Sequence, residues 1–442
     1  MVASPRIDNA CRLAIILSSA AWIRTPAMTT TIVIIFCIVY LGMILGGLPF
    51  LQLNRTGVAL LGAIALISVD AVSIEGAAEA VHLPTIILFF SFMVLSAQMR
   101  LGGFYDWVTR RLAGLALSPP LLLAALMGAV ATLSAVFSND IVCLAVAPVL
   151  IRACERRGLD PVPYLLALAC AANIGSAATL IGNPQNILIG QSLRLSFAGY
   201  FAEALLPVLL GLAAAWAVIA SQNRGRWLGK TPAVPVVASG NDKDVDAPLK
   251  RWQTTKGLVV AVLLLVAFVV APWPREHLAL TAAGILLMSR KLHSSKMLGL
   301  VDWELLVMFI GLFVVNHALQ QTGLPERLIA DVRAHGLDLR EPAALFGVTF
   351  ALSNIVSNVP AVMLLLPLAT HPLAGPVIAL VSTLAGNLLI VGSIANIIVV
   401  DSAARHGIRI DWRRHARVGV PVTVVTLAIA GAYLWLRVGA AT

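Results

Sequence analysis

Apolar runs of roughly 17–22 residues recur along the chain, and a run of that length wound as an α-helix crosses the hydrocarbon core of a bilayer. Barrel strands would instead alternate apolar and polar over about ten residues, and these runs do not. Hydrophobic residues make up 59% of the 442 residues, and charged ones 12%. That charged fraction is about half the usual value for a soluble protein. Such a chain cannot cover a core with polar surface, so it reads as an integral membrane protein. The pattern excludes a soluble enzyme, a nucleic-acid-binding domain and an outer-membrane barrel, and no nucleic-acid partner is expected. The expected fold is an all-α polytopic membrane protein of about ten spans, with the lipid bilayer as its partner.

Spans are expected at 30–47, 56–69, 83–101, 161–190, 200–220, 257–272, 278–290, 303–322, 377–402 and 418–437. Two further apolar stretches, 119–153 and 343–370, are interrupted at their centres by Ser-Asn. The polar stretch 221–256 between the halves reads as a cytoplasmic linker.

The halves repeat. FFSFMVLSAQMRLGGF (89–104) aligns with FIGLFVVNHALQQTGL (309–324) at an offset of 220, placing Gly103 on Gly323. SNDIVCLAVAP (138–148) aligns with SNVPAVMLLLP (357–367) at an offset of 219. Gly182 and Asn186 then fall on Gly392 and Asn396 at an offset of 210. Three matches in order, with a slowly changing offset, indicate a duplicated unit. The expected organisation is an N-terminal extension 1–27, a first repeat 28–220, the linker 221–256 and a second repeat 257–442.

Charge sets the orientation. Arg110 and Arg111 precede the stretch 119–153, and Arg152, Arg156 and Arg157 follow it. Both flanks belong in the cytoplasm, so the stretch enters and returns as a re-entrant hairpin with Ser138-Asn139-Asp140 at its tip. The flanks of 343–370 are not net basic, so the second hairpin enters from outside and the second repeat is inverted. Under this topology 22 of the 31 Lys and Arg are cytoplasmic, six are external and three lie in residues 1–27. Those three, Arg6, Arg12 and Arg24, are the misfit. Residues 12–23 could form an extra inserted segment, or Met28 could be the true start.

Unwound backbone is tolerated in a membrane only where it is buried in protein or lines a cavity. Four breaks fit that description: Ser138-Asn139-Asp140, the run 178–186 with Thr179, Gly182, Asn183, Pro184 and Asn186, Ser357-Asn358-Val359-Pro360, and the run 392–396 with Gly392, Ser393 and Asn396. Asn173 and Asn387 lie just before two of them. Helix ends exposed at such breaks attract anions at N-termini and cations at carbonyls. Inverted repeats with broken helices are the pattern of secondary transporters. The bland alternative for each Ser-Asn is a helix–helix hydrogen bond. Recurrence at matched places favours a substrate and ion site.

Asp140 has two open readings. A carboxylate near the bilayer centre costs roughly 2.5–3.5 kcal/mol and calls for a proton or a cation. Asp also caps helix starts, here a helix from Ile141. A Na⁺ site is expected near Asn139, Asp140 and Asn186. His317 reads as a buried histidine bonded to a neighbouring helix. The five cysteines show no CxxC, which argues against a disulfide framework, a structural metal or a zinc site. There is no Walker A motif or HExxH, so transport must draw on a gradient, and no cofactor is expected beyond H⁺ or Na⁺.

SNDIVCLAVAP, ANIGSAATLIGNPQNILIG and SNVPAVMLLLP, with the inverted duplication, resemble the ion transporter superfamily. That group includes arsenite permeases, D-type sodium/proton antiporters, the melanosomal P protein, citrate–metal symporters and divalent-anion/sodium symporters. The resemblance covers nearly all the chain after about residue 30. It implies that Ser138-Asn139 and Ser357-Asn358 are the family's paired hairpin-tip motifs, and that Gly182-Asn183-Pro184-Gln185-Asn186 is its Gly-Asp/Asn-Pro-x-Asn segment. In the dicarboxylate symporters a Thr follows each tip Asn. Here Asp140 and Val359 follow, which is closer to the arsenite-permease and antiporter branch. The resemblance also implies a homodimer with a moving transport domain. The expected function is gradient-driven transport of a small anion, an oxyanion or carboxylate, across the inner (plasma) membrane, coupled to H⁺ or Na⁺. A Na⁺/H⁺ antiporter, an arsenite efflux permease, a passive channel and a membrane-embedded enzyme are the alternatives, in falling order of fit.

Overall fold

The computed structural model describes residues 26–48, 51–228, 249–336 and 338–441. Most of the N-terminal extension, with Arg6, Arg12 and Arg24, and residues 229–248 of the linker lie outside them. Twenty α-helices make up the described chain. In the first half they are α1 Pro26–Leu45, α2 Arg55–Ser68, α3 Ile74–Ala80, α4 Leu83–Leu101, α5 Phe104–Ala113, α6 Pro119–Val136, α7 Asn139–Arg156, α8 Pro161–Ser176, α9 Pro184–Ser192 and α10 Phe197–Gln222. In the second they are α11 Arg251–Val270, α12 Arg275–Leu287, α13 Ser294–Leu298, α14 Trp303–Gln320, α15 Leu324–Ala334, α16 Pro342–Val356, α17 Asn358–Leu365, α18 Ala374–Ala385, α19 Ile394–Arg405 and α20 Trp412–Ala441.

Each helix of the first half has its mate ten places later. Local chemistry repeats with it. Gly103 and Gly323 start α5 and α15 with φ of 73° and 67°, a left-handed conformation that glycine takes without a steric penalty. Asn54, Ser73, Asp160, Ser196 and Asp302 each accept a backbone N–H at a helix start, and prolines fill first-turn positions of α4, α6, α8, α9, α15 and α16.

The two halves interlock. α2 packs on α14 and its mate α12 packs on α4; α7 packs on α19 and its mate α17 on α9. The central helices are α8 and α18. All twelve residues of α18 are buried, as are those of α8 from Pro163 onward. Both are apolar around the full circumference, which is how a helix enclosed by others reads. The outer helices show large apolar side chains instead, such as Ile34, Ile38 and Leu41 on α1 and Val259, Val262, Leu263 and Val266 on α11. In water such bands would drive aggregation; against lipid tails they are ordinary surface.

Seven helices are long and apolar enough to cross a membrane. Six of them are expected spans, and the seventh, α6, is a hairpin arm. The expected spans 161–190 and 377–402 are each two helices joined by irregular chain, and α2 and α12 are only 14 and 13 residues long. The linker ends earlier than expected, because α11 begins at Arg251. Helices α6 and α7 form a hairpin whose outer ends meet. Arg157, just past α7, donates to the carbonyls of Ala113, Leu115 and Leu117 at 3.1, 3.0 and 2.9 Å. Tyr164 Oη donates to Pro119 O at 3.1 Å. Had α7 continued α6 in line, two 18-residue helices of 1.5 Å rise would hold those ends roughly 54 Å apart.

Candidate functional site

At the centre, two helices break and are sewn to each other. α8 ends at Ser176 and α9 starts at Pro184; α18 ends at Ala385 and α19 starts at Ile394. The irregular chain therefore ends before the expected run 178–186 does, and Pro184 and Asn186 sit in the first turn of α9. Asn183 caps that turn by accepting Asn186 N–H at 2.9 Å, and Ser393 caps the other by accepting Ala395 N–H at 3.2 Å.

The freed carbonyls are met by side chains. Asn186 Nδ2 donates to Ser176 O and Thr179 O at 3.4 and 2.9 Å. Asn396 Nδ2 donates to Gly386 O and Leu389 O at 2.8 and 3.0 Å. All three residues of one set lie 210 positions from their mates in the other. Gly182 and Gly392 allow the chain to fold back this closely. A Cβ on Gly182 would stand 2.3 Å from Ser176 O, and one on Gly392 3.2 Å from Gly386 O.

The halves then cross. Asn173 and Thr383 are mates on α8 and α18. Asn173 Nδ2 donates to Asn396 Oδ1 at 3.2 Å, while Thr383 Oγ1 donates to Asn186 Oδ1 at 3.5 Å. Ser393 Oγ donates to Asn173 Oδ1 at 2.9 Å, while Asn183 Nδ2 donates to Thr383 Oγ1 at 3.3 Å. Asn173 also donates to Asn387 Oδ1 at 2.9 Å. With two bonds given and two taken, its amide is complete.

The hairpin tips dock on this knot with oxygens to spare. Asn139 N–H donates to Gly182 O at 3.3 Å, and its Nδ2 donates to Asn173 Oδ1 at 3.3 Å. Thr179 Oγ1 donates to Ala135 O at 2.5 Å, tying break to hairpin. Yet Asn139 Oδ1 and its mate Asn358 Oδ1 are buried without a partner among the described residues, as are Ser134 Oγ and its mate Ser353 Oγ. Ser134 and Ser353 were not singled out in the sequence, although they share the tips' offset of 219. Asn387 Nδ2 is also unpartnered.

Asp140 does not cap. α7 starts at Asn139, two residues before the expected Ile141, with Ser138 in the cap position. Asp140 lies in the first turn, at the positive end of the helix dipole, part-buried and within electrostatic range of Asp302. Ser138 keeps an ordinary backbone and its N–H reaches Ser96 Oγ at 3.5 Å. Ser357 instead has φ 76° and ψ 159°, a region that side chains enter at a cost of about 1–3 kcal/mol and that clusters at functional sites. Pro360, buried beside it, offers its carbonyl to Tyr40 Oη at 3.5 Å, and Tyr40 also donates to Asn316 Oδ1 at 2.9 Å. His317 is half-buried, and its ring meets the side chain of Gln321, just past α14, at 2.6 Å. The cysteines at 37, 143, 154 and 170 are free thiols, and no metal-binding cluster occurs among the described residues.

The chain matches the citrate transporter family over residues 32–385. A 46 kDa membrane protein of Mycobacterium leprae is 30% identical over 410 residues, covering 87% of this chain and 94% of its own. The silicon efflux transporter LSI3 of Oryza sativa subsp. japonica is 28% identical, covering 86% and 92%. Among solved structures, the Alcanivorax borkumensis YdaH transporter aligns with a TM-score of 0.55 at 14% identity, over 94% of this chain and 99% of its own. That likeness is one of fold.

Proposed function

This chain belongs to the citrate transporter family, within the ion transporter superfamily, and from that premise we propose that it carries a small, low-charge oxyanion or carboxylate across the inner (plasma) membrane by secondary active transport coupled to H⁺ or Na⁺. Membership makes it a multi-pass membrane transporter rather than an enzyme. The observation that carries the rest is the four unpartnered oxygens of Ser134, Asn139, Ser353 and Asn358. Buried polar atoms are nearly always satisfied, and every other amide of the knot except Asn387 is. Oxygens left open at mate positions on both tips are groups that a desolvated ion and its co-substrate can complete.

The charge of the cargo follows from the lining. None of the side chains named at the breaks and tips is Lys or Arg. Helices α7, α9, α17 and α19 all begin there, and a helix N-terminus offers about half a positive charge. That suits one negative charge or an undissociated oxyacid better than a polycarboxylate, whose unpaired charges would be costly to bury. A relative named for silicon efflux agrees with this reading. Asp140 supports the second reading, a Na⁺/H⁺ antiporter.

The topology draws support from contacts between segment ends. Asn54 with Glu304, Gln98 with Gln253 and Gln222 with Arg417 join ends that the basic-residue rule puts in the cytoplasm. Arg275 with Leu195 and Arg437 with Glu203 join ends that it puts outside. In this frame both hairpins are re-entrant. They move with α8–α9 and α18–α19 as an elevator against the outer helices of a homodimer, and the Tyr40 contact to Pro360 is one that movement must break. Solid-supported-membrane currents from proteoliposomes test the proposal, with arsenite, phosphate, sulfate, citrate, succinate and Na⁺ offered across pH gradients. Currents with one oxyanion, absent in Asn139→Ala, support it; no current with any anion but one with Na⁺ would transfer the case to the antiporter.

A further inference from the structure

The two breaks are held by different chemistry. Tyr200 and His415 are each the fourth residue of their helix, α10 and α20. Tyr200 Oη donates to Ala177 O at 2.7 Å, and His415 Nε2 meets Asn387 O at 3.0 Å. A carbonyl only accepts, so His415 Nε2 carries the proton. Ala177 and Asn387 are mates 210 residues apart, the first residues past α8 and one residue past the cap of α18. His415 is 2% exposed, and its ring fits only because Gly419 lacks a Cβ, which would stand 2.9 Å from Nε2.

The position is wired to the first tip. Asn387 accepts from Asn173 through its side chain, and Asn173 accepts from Asn139. The carboxylate nearest along the chain is exposed Asp411, which accepts His415 N–H at its backbone oxygen and Arg414 N–H at Oδ1, at 3.0 and 2.8 Å. The elements packed most extensively on α20 are α8, α10 and α18; α16, which has no charged residue, meets it at Gly431 through Phe346. Helices α8 and α18 contain no Asp, Glu, Lys, Arg or His. The one charged residue of α10, Glu203, is engaged at the far end by Tyr433 and Arg437. On α20 itself Arg413 and Arg414 are exposed, one over the Trp412 ring and the other on Arg409 O, and Arg417 is exposed too.

We infer that His415 is a positioning residue that makes the second break responsive to pH while the first, held by Tyr200, stays indifferent. Protonation at Nδ1 keeps the Nε2–H donor but puts a charge on a ring that is almost fully buried, where a low dielectric disfavours the charged form. The ring also lies in the first turn of α20, the positive end of that helix, which disfavours a cation further. The closed clasp therefore holds the neutral ring: acid loosens the segment 386–393, and base tightens it. The link to coupled transport rests on the function proposed above; the local effect does not.

The test is hydrogen exchange in lipid nanodiscs from pH 5 to pH 8, with each variant compared with wild type at the same pH. The readout is protection of 386–393 relative to 177–183. In the wild type the ratio should fall severalfold towards low pH, because a charge on the buried ring disfavours the closed clasp. His415→Gln keeps a donor without the titration and should give a flat ratio; Tyr200→Phe should lower protection of 177–183 at every pH. If His415→Gln does not fold, His415→Tyr, which copies the first break, replaces it. A flat or rising ratio in the wild type, or the same fall in the His415 variants, overturns the inference. Flux measured on the same samples as a function of pH separates the two claims: absent flux counts against transport, while the exchange ratio still decides the clasp.

Discussion

Gly182→Ala is the substitution with the best-defined cost. The added Cβ would lie 2.3 Å from Ser176 O, 2.7 Å from Ser176 Cα and 2.8 Å from Ser134 O, where real Cβ contacts essentially never fall under 3.0 Å. Two of the three atoms belong to the break and one to the first hairpin, and all are backbone, so no rotamer change relieves the clash. Overpacking of this kind costs about 1–3 kcal/mol. Pushing the segment outward also strains the Asn139 bond to Gly182 O and the Asn186 bond to Ser176 O, each worth about 1 kcal/mol. A loss of about 3–5 kcal/mol is expected. Gly392→Ala meets Gly386 O at 3.2 Å and should cost about 1 kcal/mol. Gly128→Ala, with nothing within 4 Å in the interior of α6, should be neutral or stabilising. Thermal unfolding in detergent, followed by fluorescence-detected size exclusion, ranks the three. Equal transition temperatures for Gly182→Ala and Gly128→Ala would refute the close-packed break.

Asn139→Ala and Asn358→Ala should each remove most transport in proteoliposomes while the elution profile stays that of the wild type, since each deletes an open oxygen and at most one weak bond; normal flux in either makes that tip structural. Cysteines placed at Arg110 and Arg156, in a background without native cysteines, should both resist an impermeant thiol reagent added from outside, and labelling of one alone would mean that 119–153 spans. Asp140→Asn should leave counterflow measurable while uptake loses its dependence on the H⁺ or Na⁺ gradient; gradient-driven uptake at the wild-type rate removes Asp140 from coupling. Tyr40→Phe deletes the bonds to Asn316 and Pro360 without changing the ring, and should alter the transport rate more than the melting temperature if that contact forms in one state only.

Much of the architecture was legible because long apolar runs and the residues that interrupt them are local signals. Leu83–Leu101 has the expected boundaries, and the helices break at Ser138-Asn139 and at Ser357-Asn358. The short helices α3, α5, α13 and α15 were not foreseen. FYDWVTRRLA (104–113) and LPERLIADVRA (324–334) are too polar to register as spans, and only Gly103 and Gly323 marked where they start. The breaks were seen, but their partners were not. Asn173 meets Asn387 and Asn396 across 214 and 223 residues, and nothing in the flanking sequence announces such a contact. Tyr200 and His415 escaped for a further reason: their separation of 215 falls between the offsets by which the repeats align.

The symmetry of the knot and the asymmetry around it divide the work between the halves. Amides and hydroxyls at 173, 183 and 186 are matched by those at 383, 393 and 396, and four of the crossing bonds form two mated pairs; the Asn173–Asn387 and Gln185–Thr383 bonds have no mate. The moving unit proposed above would need this pairing, because both breaks would have to hold their carbonyls whichever way the unit faces. Charge and strain do not repeat. Asp140 stands opposite Val359, titratable His415 opposite Tyr200, and the strained Ser357 opposite an ordinary Ser138. A gradient can drive transport only through groups whose energy depends on the driving ion. The two groups proposed above for that role lie at one tip and one break, each from a different half. Asn173 touches both sets, bonding to Asn139 beside Asp140 and to Asn387 beneath His415. Asn173→Asp would put a charge at that junction and remove two donated bonds. It should abolish transport, and should uncouple the exchange of 386–393 from pH even where the protein still folds. Wild-type pH dependence of exchange in that variant would show that the two titratable groups act separately.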